Sequence, residues 1–170
     1  MARAQRIYHV ISGTTTAYRA PEIVRELGSL ADEIITLMTP GASRVISPRM
    51  LVLEPGHNLV ESYFDTLILP RPADGPALVA PCSFNSLNKI AHGIADSLAL
   101  SVVADLIGRS LPVVVALSLN SALHAHPRTQ LSISTLRGWG ISIIEPVAAG
   151  VELTLAPTET IVRELELRLT

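Results

Sequence analysis

Short, uninterrupted apolar runs recur along this chain, and they constrain its fold more than any other feature. They are Arg6–Ser12 (RIYHVIS), Glu33–Met38 (EIITLM), Ala77–Ala80 (ALVA), Pro112–Leu117 (PVVVAL) and Ile141–Ile144 (ISII). A strand with one wet face would alternate apolar and polar residues, whereas these read as strands buried on both faces. Helical spacing fills the intervals. Pro21–Leu30 places Ile23, Val24 and Leu27 on one face, and Ser86–Leu106 does the same with Leu87, Ile90, Ile94 and Leu98. Thr129–Trp139 and Thr158–Leu169 read as two further helices, while Thr39–Pro48 is turn-rich. Met50–Leu69 is ambiguous, broken at Pro55-Gly56. Strands alternating with helices predict a three-layer α/β fold, a parallel sheet with helices on both faces.

With 170 residues the chain is expected to form one domain. At this size about 70% of the unfolded surface is buried without a disulfide or metal staple. Hydrophobic residues make up 48% and charged residues 16%, which excludes an intrinsically disordered chain. So little charge also suggests that some surface is buried against other copies. A net charge of −2 provides no basic field, so nucleic acid is not an expected partner. The single cysteine, Cys82, excludes an internal disulfide and fits a reducing compartment. The opening MARAQRIYHVISG is too interrupted for a signal peptide. Asp105, Arg109 and Pro112 likewise break the longest greasy stretch, Leu98–Asn120, before it could span a membrane. A soluble, cytoplasmic protein is expected.

In open parallel sheets, ligands bind beyond the carboxyl ends of the strands. The informative residues are therefore the polar ones that follow each run. Ser12-Gly13-Thr14-Thr15-Thr16 offers a close backbone approach and hydroxyl donors ahead of a helix, a pattern that suits a phosphate and equally suits a helix cap. It is neither the three-glycine dinucleotide fingerprint nor a P-loop. Thr39 and Ser43 follow the second run. Ser83, Asn85 and Ser86 follow the third and could read a flat polar ring. Ser118 and Asn120 follow the fourth. His124 and His126 lack further ligands, so no metal is expected, and Cys82 reads as a buried, inert thiol.

Three segments, in order and spacing, resemble the homo-oligomeric flavin-containing cysteine decarboxylases. ISGTTTAYRAPEIVREL is similar to that family's first strand, phosphate loop and helix. PCSFNSLNKIAHGIADSL is similar to its Pro-Ala-Ser-Ala-Asn-Thr motif and the following helix, and SLNSALHAHP to its Pro-Ala-Met-Asn motif. The likeness runs from Arg6 to about Pro146. It implies a flavodoxin-like fold, a homo-trimer or dodecamer, and flavin mononucleotide (FMN; FAD is the other possibility) at a subunit boundary. It implies that Gly13, Thr14 and Thr15 hold the phosphate, with Thr39 and Ser43 near the phosphate and ribityl chain. Ser83, Asn85, Ser86 and Ser118 would contact the flavin, and Asn120 the substrate's carboxyl end.

Departures from the family pattern bear on the chemistry. The family's catalytic histidine corresponds to Leu67, and the nearest upstream histidine is His57. Leu117 and Leu119 replace the Pro and Met of the third motif. Ala148-Ala149-Gly150-Val151-Glu152 carries no cysteine where the pantothenate-pathway enzymes re-protonate their enethiol. The resulting expectation is oxidative decarboxylation of a C-terminal cysteine on a ribosomal peptide, as in peptide antibiotic tailoring, with Asn120 and His57 as catalytic candidates. Phosphopantothenoylcysteine decarboxylation in coenzyme A synthesis and a flavin-binding homologue without the chemistry are the alternatives.

Overall fold

The computed structural model describes residues 3–169. Eight strands and seven α-helices follow one another as β1 (Ala4–Ile11), α1 (Ala20–Leu27), β2 (Ala31–Met38), α2 (Pro48–Val52), β3 (Asn58–Leu59), β4 (Ala77–Cys82), α3 (Phe84–Ala91), α4 (Leu98–Gly108), β5 (Val113–Leu117), α5 (Ser121–Ala125), α6 (Pro127–Gly138), β6 (Ser142–Ile144), β7 (Val147–Ala149), β8 (Glu152–Thr154) and α7 (Thr158–Glu166). The main sheet has the order β3-β2-β1-β4-β5-β6, with every neighbouring pair parallel.

The apolar runs are continuous because both sheet faces are covered. Tyr8, Val10, Ile35, Val79 and Val115 pack beneath α3, α4 and α6, against Leu87, Val103 and Leu136. On the other face Ile7, Ile34, Leu78 and Val114 pack against Ile23 and Leu27 of α1 and Ile161 and Leu165 of α7. From β1 the chain steps outward through β2 to β3, then returns to lay β4 on the other side of β1. The connections leaving β1 and β4 therefore diverge, opening a crevice at their carboxyl ends, where ligands bind in such sheets.

Three segments differ from the sequence expectation. Ser86–Leu106, expected as one helix, is divided between α3 and α4. Gly93 ends α3 at φ +67°, a left-handed conformation open to glycine, and Ser97 Oγ caps α4 by accepting from Leu100 N at 3.4 Å. Ile94, whose spacing suggested continuity, is 47% exposed in the break. Within the ambiguous Met50–Leu69 stretch, α2 ends at Val52 and β3 forms at Asn58–Leu59. A small antiparallel hairpin, β7–β8, turns at Gly150 (φ +65°) and was not anticipated. Among the described residues no helix is long and apolar enough to cross a membrane.

Candidate functional site

A cleft of about 670 Å³ lies at the carboxyl ends of β1, β2, β4 and β5, within the size range of small-molecule sites. Its floor is the β1 loop. A Cβ on Gly13 would sit 2.5 Å from the carbonyl carbon of Gly41 and 2.6 Å from its oxygen. Glycine is required there because the β1 and β2 loops pack backbone to backbone. Thr14 and Thr16 share a hydroxyl hydrogen bond of 3.0 Å, and Thr16 shares another with Ser118 at 2.7 Å. That hydroxyl chain ties the β1 loop to the β5 loop. Thr39 Oγ1, nearly buried, accepts from Ala42 N at 3.2 Å and shapes the β2 turn.

Serine and asparagine start the helices that form the walls. Ser83 Oγ accepts from Ser86 N at 3.1 Å and so caps α3, leaving Asn85 exposed on the first turn. Asn120 Oδ1 caps α5 by accepting from Leu123 N at 2.8 Å. The cap uses only the acceptor end of that amide, so it does not occupy the Nδ2–H donors. Glu152 of β8 accepts from both the backbone N and the hydroxyl of Ser121, at 3.2 and 3.1 Å, which pins the hairpin beside the cleft. Leu153 and Thr154 then complete the rim.

Gly13, Thr14, Thr15, Thr39, Ser83, Asn85, Ser86, Ser118 and Asn120 all line this one cleft. Ser43 and His57 are not among its lining residues. Ser43 is exposed on the turn beyond Gly41. His57 stands ahead of β3, where its Nε2–H donates to the Leu51 carbonyl at 2.6 Å and its Nδ1 accepts from Thr36 Oγ1 at 2.8 Å. A carbonyl can only accept, so this pairing fixes the tautomer. Leu67 is half-buried against the core, and its carbonyl accepts from the Arg6 guanidinium at 3.0 Å. Thr16, quoted with the β1 loop, also lines the cleft, as do Lys89 and Asp96, which were not singled out in the sequence. The four-residue step from Asn85 to Lys89, about one helical turn, was the available signal for Lys89.

Two buried titratable groups lie just behind the cleft. Burial pushes the Cys82 thiol up to about 12, against the opposing effect of a hydrogen bond with Ser12, so it is neither a nucleophile nor an acid at neutral pH. His9 is fully buried in β1, and its Nε2–H donates to the Ala80 carbonyl at 2.8 Å. Burial lowers its pKa to about 4; the Ala80 hydrogen bond opposes that fall and nearby His57 adds to it. Among the described residues no three His, Cys, Asp or Glu side chains gather to hold a metal ion.

The cleft is suited to an anion held by N–H and O–H groups at the β1 loop and a planar polar ring held by Ser83, Asn85 and Ser118. Crevice, hydroxyl-lined loop and capped helix together define a nucleotide-sized cleft of the flavodoxin-like class. The family model described as Flavoprotein matches residues 1–169, and the chain belongs to that family. Its cofactor is accordingly a flavin. A probable phosphopantothenoylcysteine decarboxylase of Streptococcus mutans is 29% identical over 176 residues, covering 95% of this chain and 97% of its own. The bifunctional coenzyme A biosynthesis protein of Thermococcus kodakarensis is 26% identical, and the chain spans only 40% of its length. Among solved structures, the FMN-dependent cysteine decarboxylase SpaF superposes with a TM-score of 0.76 at 26% identity, covering 99% of this chain and 98% of SpaF. A phosphopantothenoylcysteine (PPC) decarboxylase with a cysteine-to-serine replacement, complexed with pantothenoylaminoethenethiol, gives 0.80 at 20% identity, covering 97% and 98%. Peptidyl-cysteine decarboxylase EpiD gives 0.80 at 22%, covering 96% and 99%. The relatives are thus cysteine decarboxylases that work on small or peptidyl substrates.

Two substitutions test the cradle. Gly13→Ala is expected to push the β1 and β2 loops apart, at about 1–3 kcal/mol for an overpacked contact, and to lower flavin content on purification. Asn85→Ala is expected to weaken flavin binding by about 1–3 kcal/mol, the cost of removing one amide hydrogen-bonding group from the cleft wall. Flavin titration followed by fluorescence quenching measures both, and unchanged affinity in Asn85→Ala would remove it from the site.

Proposed function

We propose that this chain is an FMN-dependent decarboxylase that converts the C-terminal cysteine of a peptide to an aminoenethiol. The observation that carries this reading is the lack of a thiol acid at the cleft. The one cysteine is buried, with its pKa near 12, and the β7–β8 turn, Ala148-Ala149-Gly150-Val151, offers none. A reaction ending in the saturated thiol needs a proton donor for carbon; one ending at the enethiol does not. The PPC decarboxylase variant that holds an aminoethenethiol, with a cysteine replaced, supports the same reasoning.

FMN, when bound, supplies a two-electron oxidant for the cysteine side chain. The residue loses CO₂ and two hydrogens, and the α- and β-carbons end doubly bonded, with the negative charge left by CO₂ delocalised towards sulfur. The chain's own part is positioning. Gly13, Thr14 and Thr15 hold the phosphate through N–H and hydroxyl groups, with Thr39 near it and the ribityl chain. Ser83, Asn85, Ser86 and Ser118 fix the ring, and the Asn120 amide donates to the substrate's carboxylate. With no histidine lining the cleft, the thiol ionises unaided: at a pKa of about 8.5, a few per cent is thiolate at neutral pH.

The segment that carries His57 and Leu67 also exposes Leu53 (84%) and Phe64 (85%), with Val52, Tyr63 and Leu69 close by in sequence. A closed homo-oligomer would cover this apolar surface. Light scattering is expected to show a mass that is a multiple of three chains of 18.2 kDa. A stable monomer at micromolar concentration would overturn the oligomer.

The test is an anaerobic one. Yellow purified protein is mixed with a panel of cysteine-ended pentapeptides and, separately, with phosphopantothenoylcysteine. Bleaching of the flavin, with loss of CO₂ and two hydrogens by mass spectrometry from a peptide, supports the proposal. Turnover of phosphopantothenoylcysteine alone would favour the second reading, which the near-full-length match to the Streptococcus mutans protein recommends. Turnover of neither would leave a flavoprotein without decarboxylase chemistry.

A further inference from the structure

Lys89 is the chain's sole lysine, and the other twelve cations are arginines. Among the residues lining the cleft it is also the one cation, and Asp96 the one acid. The two are paired, Lys89 Nζ to Asp96 Oδ2 at 2.6 Å, with side chains 27% and 53% exposed. We infer that Lys89 is the counter-cation for the substrate's carboxylate, and that Asp96 holds that place until substrate displaces it. The inference rests on the decarboxylase reading above and names a specificity residue for it.

A carboxylate entering a half-enclosed cleft loses water and needs a compensating charge. The Asn120 amide offers a dipole, but only Lys89 offers a charge. It lies one helical turn beyond Asn85, on the cleft-facing side of α3, and its four-carbon stem lets the ammonium swing between partners. An exposed ion pair of this kind contributes little to stability, so parting it costs little. Nor does the α3–α4 connection depend on it. Gly93 N donates to the Ile90 carbonyl at 3.0 Å and Ile94 N to the Lys89 carbonyl at 2.9 Å. Ser101 Oγ donates to the Ala95 carbonyl at 3.3 Å. The pair is therefore free to serve the cleft, with Asp96 a carboxylate already standing where the ligand's would stand.

The sign of the kinetic effect follows. The carboxylate's charge disperses as CO₂ departs, so an ion pair to it favours the bound substrate over the transition state. Lys89 thereby lowers KM without raising kcat, and Asp96 acts as a built-in competitor that raises KM.

The test compares Lys89→Gln and Asp96→Asn, as flavin-loaded proteins, with the peptide turned over by the wild type. Lys89→Gln is expected to raise KM about tenfold or more, the loss of a charge-assisted hydrogen bond, with kcat not reduced. Asp96→Asn is expected to lower KM severalfold. A pair that merely stapled the loop would move KM in the same direction in both variants, and that result would overturn the inference. A second readout does not need turnover. Reductive ¹³C-methylation labels Lys89 as the only side-chain amine, and N-acetyl-L-serine lacks the thiol needed for oxidation. N-acetyl-L-serine is expected to shift the Lys89 resonance, and N-acetyl-L-serinamide, which has no carboxylate, to leave it in place. Equal shifts, or none, would overturn the assignment. Absence of peptide turnover in the wild type would instead count against the decarboxylase reading, and the resonance comparison would still decide the role of Lys89.

Discussion

Asn120→Ala is expected to lower kcat/KM for a cysteine-ended peptide by about a hundredfold or more, while the purified protein keeps its yellow colour. Misplacing a reacting group by about 1 Å can cost that much. Truncation also removes the cap of α5, worth about 1 kcal/mol, but Glu152 still holds the Ser121 N–H. Asn120→Asp separates the two roles. Its carboxylate can keep the cap on Leu123 N, yet it has no N–H to offer and repels the substrate's carboxylate. Activity should fall in both variants, and thermal stability only in the alanine variant. Full activity in either would remove Asn120 from the substrate site.

Acid should destabilise the protein through His9 well before most carboxylates are protonated. The folded state holds this imidazole neutral, with a pKa of about 4, whereas an unfolded chain titrates it near its ordinary value of 6.5. Between those values the unfolded state binds the extra proton, so stability is full above about pH 6.5 and declines as pH falls towards 4. Integrated over the window, the loss is about 3 kcal/mol. Urea titrations at several pH values measure it. His9→Leu should be less stable at neutral pH, because the Ala80 carbonyl loses its donor, yet show a flatter profile. An equally steep profile in His9→Leu would place the effect elsewhere.

The strands were legible because a parallel sheet covered on both faces demands unbroken apolar runs, and VVVAL can satisfy no other environment cheaply. The site loops were legible for a related reason: each polar cluster directly follows a strand, and the topology puts those ends together. The α3–α4 break was not, since Ile90, Ile94 and Leu98 keep helical spacing straight through it. Only the exposure of Ile94 shows that Gly93 outweighed the pattern. His57 was chosen by proximity in sequence, and its packing against Thr36 and Leu51 depends on how the chain after α2 folds back onto β2. The importance of His9 was hidden because one polar residue inside an apolar run looks like an ordinary interruption. Lys89 was hidden inside a recognised motif, where its pairing with Asp96 needed the turn between two helices to be seen.

The cleft draws its lining from Gly13 near one end of the sequence to Thr154 near the other, with β1, β2, β4 and β5 all contributing. A fragment that stops short of Thr154 lacks part of that lining. Flavin capture is therefore a late event in biogenesis, and one that reports on completeness. A ligand that binds only the finished fold draws the equilibrium towards it in proportion to ligand supply.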